Sequence, residues 1–118
     1  MDVYGLKNCD TCRKALKWLD DSGLAYKFHD IRQAGLGETE IADWAEKAGW
    51  EALLNRRGTT WRRLPEPVRA AVKSKTAEQL MLEHPAIIRR PVLEHDGRLY
   101  AGFSSDSYQA IFGAAGKT

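Results

Sequence analysis

The chain of 118 residues has few cysteines, little net charge and no long apolar run, and each shortage excludes a class of protein. Its 2 cysteines are too few and too close together for a disulfide scaffold. The formal net charge of +2 is far below the excess that a general polyanion binder carries. No apolar run approaches the roughly 20 residues that span a bilayer, and residues 1–10 do not have the pattern of a secretory signal. We therefore expect a cytoplasmic protein with no membrane and no direct nucleic-acid binding.

The composition is that of a globular protein. Apolar residues make up 43% of the chain and charged residues 29%, which is too apolar for a disordered chain. The length fits a single domain, 1–118. We expect only the tail at 113–118, which is small and polar, to be frayed.

The first third of the chain reads as strand, helix and strand. Residues 3–6 and 25–29 have strand patterns, and between them a helical pattern over 13–23 ends at Gly23. A strand, a helix and a strand within about 30 residues predict a βαβ unit whose two strands are parallel.

The rest of the chain predicts helices and then strands. A helical insertion is expected at about 37–85, with one helix ended by Gly49. Residues 91–101 predict a β-hairpin with Asp96 and Gly97 in its turn, and 104–112 a closing helix. The expected order is βαβ, helical insertion, ββα, which is an α/β fold with a mixed sheet.

Both cysteines, Cys9 and Cys12, lie in one Cys-x-x-Cys motif between the first strand and the first helix. A thiolate is the reactive form of cysteine, and the amide groups at a helix N-terminus favour it, so we expect Cys9 to be the nucleophile with Arg13 and Lys14 nearby. Cys12 can serve as a resolving thiol, and we expect Asp10 to cap the helix. Two buried structural thiols are the less favoured alternative. Zinc is less favoured still, because the histidines are scattered singly.

A second group of residues is basic. Arg90 precedes Pro91, and this X-Pro bond ahead of a strand is a candidate for the cis form. Arginine can bind carboxylates and oxyanions with two hydrogen bonds, so Arg90 is the first candidate for substrate binding and Arg57, before Gly58, is the second. Arg56, Arg63 and Arg89 are expected to be solvated surface charges.

Four stretches of the sequence, taken together, are distinctive: YGLKNCDTCRKALKWL, LLNRRGTTWRRL, MLEHPAIIRRPVL and GRLYAGFSSD. They resemble the ArsC/Spx family, and its YffB-like branch in particular, and they run in the family's order from residue 4 to residue 106. The resemblance implies a thioredoxin-like fold with a helical insertion.

The resemblance also implies roles for individual residues. Cys9 matches the nucleophile of the arsenate reductases, and Cys12 the second redox cysteine of Spx-type regulators. Arg90 and Arg57 match two arginines of the arsenate-binding set, and Pro91 matches the family's cis-proline. A third arginine of that set falls near Ala101, where this chain has none, and the loss of one charge-assisted hydrogen bond costs roughly 1.5–3 kcal/mol.

The implied function is that of a glutathione-dependent thiol–disulfide oxidoreductase. Glutathione is then a co-substrate, the second substrate is a small thiol, disulfide or oxyanion, and we expect no metal or prosthetic group. Two alternatives stay open: an arsenate reductase coupled to glutaredoxin, and a redox-sensing Spx-type regulator that binds the RNA polymerase α-subunit.

Overall fold

A computed structural model of the protein describes residues 1–113, so residues 114–118 of the tail, which we expect to be frayed, lie outside the described residues. The chain divides into two compact units. One contains Met1–Gln33 and the chain from Arg90 onward, and the other contains Ala34–Arg89. No helix within residues 1–113 is long and apolar enough to cross a membrane.

Strands and helices follow one another in the predicted order. In the first unit they are β1 (Asp2–Gly5), α1 (Asp10–Asp21), β2 (Lys27–Asp30), β3 (Val92–His95), β4 (Arg98–Ala101) and a last helix, Ser105–Phe112. In the second unit they are α2 (Glu38–Ala48), α3 (Trp50–Leu53), α4 (Thr59–Arg62), α5 (Glu66–Ala70), α6 (Ser74–Glu83) and a 3₁₀ turn, Pro85–Ile87. The last helix is α7.

The first unit is built on a four-stranded sheet with the strand order β2-β1-β3-β4. β1 and β2 are parallel, as the βαβ pattern predicts, whereas β3 is antiparallel to both β1 and β4. In this register Tyr4 lies opposite Val92. The residues just before β3 therefore lie beside the carboxyl end of β1, where the loop that carries Cys9 begins.

The core of this unit lies between one face of the sheet and the helices α1 and α7. Residues of a strand alternate between the two faces, so the buried face of β1 carries Val3 and Gly5. Removing a large apolar side chain from water contributes about 1.5–3 kcal/mol. The buried residues of the core cluster are Val3, Ala15, Leu19, Leu93, Tyr108 and Phe112.

The start of α1 differs from the sequence prediction. The helix begins at Asp10, and Cys9 is its N-cap with an extended backbone (φ −104°) and no capping bond from its side chain. The prediction that Asp10 caps the helix is wrong, because Asp10 already lies in the first turn. Its carboxylate instead accepts a hydrogen bond from the Arg13 guanidinium, at 3.4 Å.

The second unit consists of helices and one isolated β-bridge. α2 ends at Gly49 as predicted, and Gly49 has a φ of 86°, a conformation that favours glycine. The bridge pairs Leu54 with Ile88. It is flanked by the backbone bonds Asn55 N–H to Ile87 O, 2.8 Å, and Arg89 N–H to Leu53 O, 2.7 Å. The loop after α3 is thus anchored to the segment that directly precedes Arg90 in the sequence.

The sequence suggested that Arg56 is a solvated surface charge. Its side chain is exposed, but it also contacts two aromatic rings. Its guanidinium carbon lies 5.8 Å from the centre of the Trp50 ring and 5.7 Å from that of Trp61. A cation over an aromatic face is attracted to it, by about 0.5–1 kcal/mol at exposed sites. The two indoles therefore hold the Arg56 side chain. Arg63 and Arg89 are exposed, as expected.

The turn of the β3–β4 hairpin gives a stability prediction. Asp96 and Gly97 both have positive φ, 53° and 73°. A Cβ on Gly97 would meet nothing within 4 Å, so its replacement acts through the backbone alone. We expect Gly97→Ala to lower the free energy of unfolding by about 1 kcal/mol in urea titrations. The control Asp96→Asn should stay near the wild type, since asparagine also accepts this conformation, and equal stability of Gly97→Ala and wild type would contradict the prediction.

Candidate functional site

The two cysteines lie where β1 passes into α1. Cys9 is partly exposed, whereas Cys12, one turn into the helix, is only 1% exposed, and both are free thiols. A tight turn fixes the start of the helix, because Cys9 N–H donates to Leu6 O at 3.3 Å and Arg13 N–H donates to Cys9 O at 3.0 Å. Cys9 is thus partly accessible and Cys12 is enclosed, although only two residues separate them.

Three donors converge on the Cys9 sulfur. Burial alone would raise the pKa of this thiol, but hydrogen bonds from the backbone N–H and the side chain of Cys12, and from Arg90, lower it, and so does the positive charge of Arg90. The net result is a Cys9 pKa below that of an ordinary thiol. Hydrogen bonds to the charged form of an acid favour that form. Cys9 is therefore the residue of the pair that ionises first.

The pKa of Cys12 is shifted in the opposite direction, upward. Burial is the largest cause that raises the pKa of Cys12, and the hydrogen bond and the charge of Cys9 act in the same direction. The backbone N–H of Leu6 and the charge of Arg90 oppose the shift, and the net result is a pKa of about 11. At neutral pH the thiolate of Cys12 is present in roughly one molecule in 10⁴. Cys12 keeps its proton and donates it to the sulfur of Cys9.

Arg90 is the cation that acts on the nucleophile, as a donor and as a charge. Arg13, which the sequence also places nearby, is held by other partners. Arg13 donates from Nε to the carbonyl of Lys7, at 3.1 Å, and from its guanidinium to Asp10. The pairing of β1 with β3 brings Arg90 into the site, although Arg90 is 81 residues after Cys9 in the sequence.

The Arg90–Pro91 peptide bond is cis, as the sequence suggested. Pro91 is fully buried, and its carbonyl accepts a hydrogen bond from the backbone N–H of Gly102 at 2.9 Å. Gly102 has a φ of 83°, which suits glycine. The turn that follows Ala101 is therefore held against Pro91, and this is the turn where the resemblance puts the third arginine of the arsenate-binding set.

Arg57, the second candidate for substrate binding, belongs to the other unit. Its side chain is exposed, and its backbone N–H donates to Oδ1 of Asn55 at 3.1 Å, which shapes the loop before α4. Its binding role stays a prediction.

Sequence reasoning missed two residues next to the sulfurs, Gly5 and Leu6. Leu6 contributes its backbone: the N–H donates to Cys12 and the carbonyl accepts from the N–H of Cys9. The backbone atoms of Leu6 give no signal in the sequence. Gly5 gives one, since a glycine within a strand often marks a close approach of another group.

The usual protein ligands of a metal ion are the side chains of His, Cys, Asp and Glu. Residues 1–113 contain no cluster of three or more such side chains with a suitable arrangement.

Solved structures of similar proteins share this fold. A YffB protein is 44% identical, with a TM-score of 0.85 over 92% of this chain and 96% of its own. An arsenate reductase (ArsC) related protein from Brucella melitensis is 47% identical, with a TM-score of 0.80 over 95% of this chain and 93% of its own. These likenesses confirm the thioredoxin-like α/β fold with its mixed sheet.

Another similar protein is a transcription regulator. The global transcriptional regulator Spx of Streptococcus agalactiae is 30% identical over 107 residues, which cover 88% of this chain and 77% of the regulator. Similar sequences thus include a regulator as well as reductase-related proteins.

The model of the ArsC family matches residues 4–111, which include the cysteine motif, the helical segment and the hairpin. The chain belongs to the ArsC family.

Proposed function

We propose that the protein is a cytoplasmic thiol–disulfide oxidoreductase that uses glutathione as co-substrate. The observation that carries this proposal is the inequality of the two sulfurs. Cys9 is partly exposed and has a lowered pKa, whereas Cys12 is buried and has a pKa of about 11. An accessible cysteine of low pKa is the kind that attacks disulfides.

The proposed reaction has two thiol exchange steps. The Cys9 thiolate attacks the glutathione sulfur of a mixed disulfide between glutathione and a second thiol, a Cys9–glutathione disulfide forms, and the second thiol leaves. The thiolate of another glutathione then attacks that disulfide, glutathione disulfide leaves, and the Cys9 thiolate is restored. One substrate disulfide is reduced by two electrons, and two glutathione sulfurs end as one disulfide.

Cys12 has one of two roles in this scheme. As a resolving thiol it would have to lose its proton, which burial, the largest cause of its raised pKa, opposes. As a hydrogen-bond donor it acts with its proton in place. We therefore propose that glutathione resolves the intermediate and that Cys12 stabilises the thiolate of Cys9.

The proposed contacts with glutathione use arginines and backbone groups. Glutathione carries carboxylates, and Arg90 is the cation that already reaches the Cys9 sulfur. We propose that Arg90 and the backbone around Pro91 orient the bound peptide, as a strand-like partner would be bound. Arg57 is proposed as a second carboxylate ligand on the basis of the family resemblance alone.

Arsenate reduction is a second candidate, because an ArsC-related protein is 47% identical to this chain. The sequence of the turn after Ala101, Gly-Phe-Ser, contains no arginine. An arsenate ion at this site would thus miss one charge-assisted bond of the arsenate-binding set.

Redox-dependent regulation is a third candidate, because Spx of Streptococcus agalactiae is 30% identical to this chain. In this case the polymerase α-subunit would be the partner. A pull-down with purified α-subunit, before and after oxidation with diamide, separates the candidates: we expect no retention in either state, and retention that depends on oxidation would replace our proposal.

The first prediction concerns the two sulfurs. We expect Cys9→Ser to lose all glutathione-dependent reduction of a glutathionylated substrate, because no thiolate remains to form the mixed disulfide. Cys12→Ser should keep most of the activity, since a hydroxyl also donates. Cys12→Ala should lose about tenfold at pH 6.5, the order expected for one hydrogen bond to a charged group. The measurement is NADPH consumption with glutathione reductase, and equal turnover of Cys9→Ser and wild type would contradict the mechanism.

The second prediction concerns pH. Because the pKa of Cys9 is lowered, its thiolate should persist below the ordinary thiol range of about 8.5. Arg90→Met removes a donor and a positive charge, so the pKa of Cys9 should rise and the curve of alkylation rate against pH should move to higher pH. The rate is measured with iodoacetamide, by the mass of the Cys9 peptide. Arg13→Met is the matched control and should leave the curve in place, since Arg13 is bound to Lys7 and Asp10; equal shifts in both variants would contradict the role of Arg90.

The third prediction concerns arsenate. In an assay coupled to glutaredoxin we expect no arsenate-dependent turnover of the wild type. Efficient turnover by the wild type would show that the third arginine is dispensable and would favour the arsenate reductase.

A further inference from the structure

Gly5, the last residue of β1, is buried against the sulfur of Cys12. A Cβ built on Gly5 would lie 2.6 Å from the Cys12 sulfur and 3.5 Å from the Cys12 Cβ. The first distance is shorter than non-bonded contacts allow, and the second is an ordinary van der Waals contact. Any side chain at position 5 would therefore displace the sulfur or the helix that carries it.

The backbone of Gly5 does not by itself require glycine. Gly5 is not among the described glycines with positive φ, and it pairs with Asp30 as a regular strand residue. Glycine weakens a strand, by roughly 0.5–1 kcal/mol relative to alanine. The reason for a glycine here is the space that it leaves for the sulfur.

The Cys12 sulfur is held from several sides. It lies against Gly5, it accepts a hydrogen bond from the backbone N–H of Leu6, and its own proton points to the Cys9 sulfur. Cys12 as a whole is 1% exposed, so the sulfur is enclosed by protein atoms. A side chain at position 5 that displaces the Cys12 sulfur would therefore disturb the contact between the two sulfurs.

We propose that Gly5 is a positioning residue, whose missing side chain lets the Cys12 sulfur lie close against β1 and donate its hydrogen bond to the Cys9 sulfur. None of the three atoms nearest to a Cβ on Gly5 belongs to Cys9, so the effect of position 5 on Cys9 passes through Cys12. The inference rests on the proposed function in one respect, the role of Cys9 as nucleophile.

The contact also indicates which second change should relieve the effect. The other close neighbour of a Cβ at position 5 is Cε1 of Phe28, at an ordinary distance of 3.5 Å. The sulfur of Cys12 is thus the one atom among the three nearest that obstructs a methyl group. If that sulfur is removed, alanine should be accepted at position 5.

The experiment is a double-mutant cycle with wild type, Gly5→Ala, Cys12→Ala and the double variant. The readout is the alkylation rate of Cys9 against pH, which needs neither glutathione nor a substrate. At pH 6.5 we expect Gly5→Ala to slow alkylation about tenfold, as Cys12→Ala does, because each removes the same hydrogen bond. In the Cys12→Ala background, Gly5→Ala should have no further effect on the curve.

Gly97→Ala is the matched control for a general loss of stability. It changes a glycine in the turn between β3 and β4, and it should leave the alkylation curve of Cys9 unchanged. A wild-type curve for Gly5→Ala would overturn the proposal. So would a shift of equal size in the wild-type and Cys12→Ala backgrounds, because the effect would then not pass through the sulfur.

Two further outcomes keep the test decisive. If Gly5→Ala does not fold, a folded double variant with the curve of Cys12→Ala supports the proposal, and an unfolded double variant overturns it.

Glutathione-dependent turnover of the wild type is measured separately. Its absence would refute the proposed function, while the alkylation cycle would still decide the role of Gly5.

Discussion

The site depends on the hydrogen bond from the Cys12 thiol to the Cys9 sulfur. Burial sets its direction, because the enclosed sulfur cannot ionise easily and the partly exposed sulfur can. The turn at Leu6 supports both partners, since its N–H binds one sulfur and its carbonyl binds the amide of the other cysteine. Two chemically identical side chains thereby acquire different properties from their surroundings alone.

The net charge of the chain, only +2, conceals how charge is used at this site. Arg13, four residues from the nucleophile, is bound to a carbonyl and a carboxylate, so little of its charge is directed at Cys9. Arg90 acts on the sulfur because the register of β3 on β1 brings it there. Strand pairing, rather than closeness in sequence, decides which cation matters.

Local patterns were sufficient to predict the elements and the parallel pairing of β1 with β2. Gly23 and Gly49 end helices, and Asp96 and Gly97 form the turn of a hairpin. All four residues have positive φ, a conformation that depends only on a few neighbouring residues. The N-cap of α1 is Cys9 rather than the predicted Asp10, because the choice of N-cap depends on the turn at Leu6. For the site, Cys9 could be predicted from the motif, whereas the contact of Gly5 with Cys12 needs the packing of α1 on β1. The aromatic contacts of Arg56 were missed for the same reason, since they join residues brought together only by the fold of the helical unit.

The pairing of β1 with β3 joins two segments that are separated by most of the chain. During synthesis the N-terminal cysteines emerge well before the third strand, so this pairing can form only after most of the chain has been made. An incomplete chain thus carries the Cys-x-x-Cys motif without the guanidinium that favours its ionised form. Cys9 therefore gains the full lowering of its pKa only when the sheet closes, and the same folding encloses Cys12, so the unequal treatment of the two thiols is a property of the finished molecule alone.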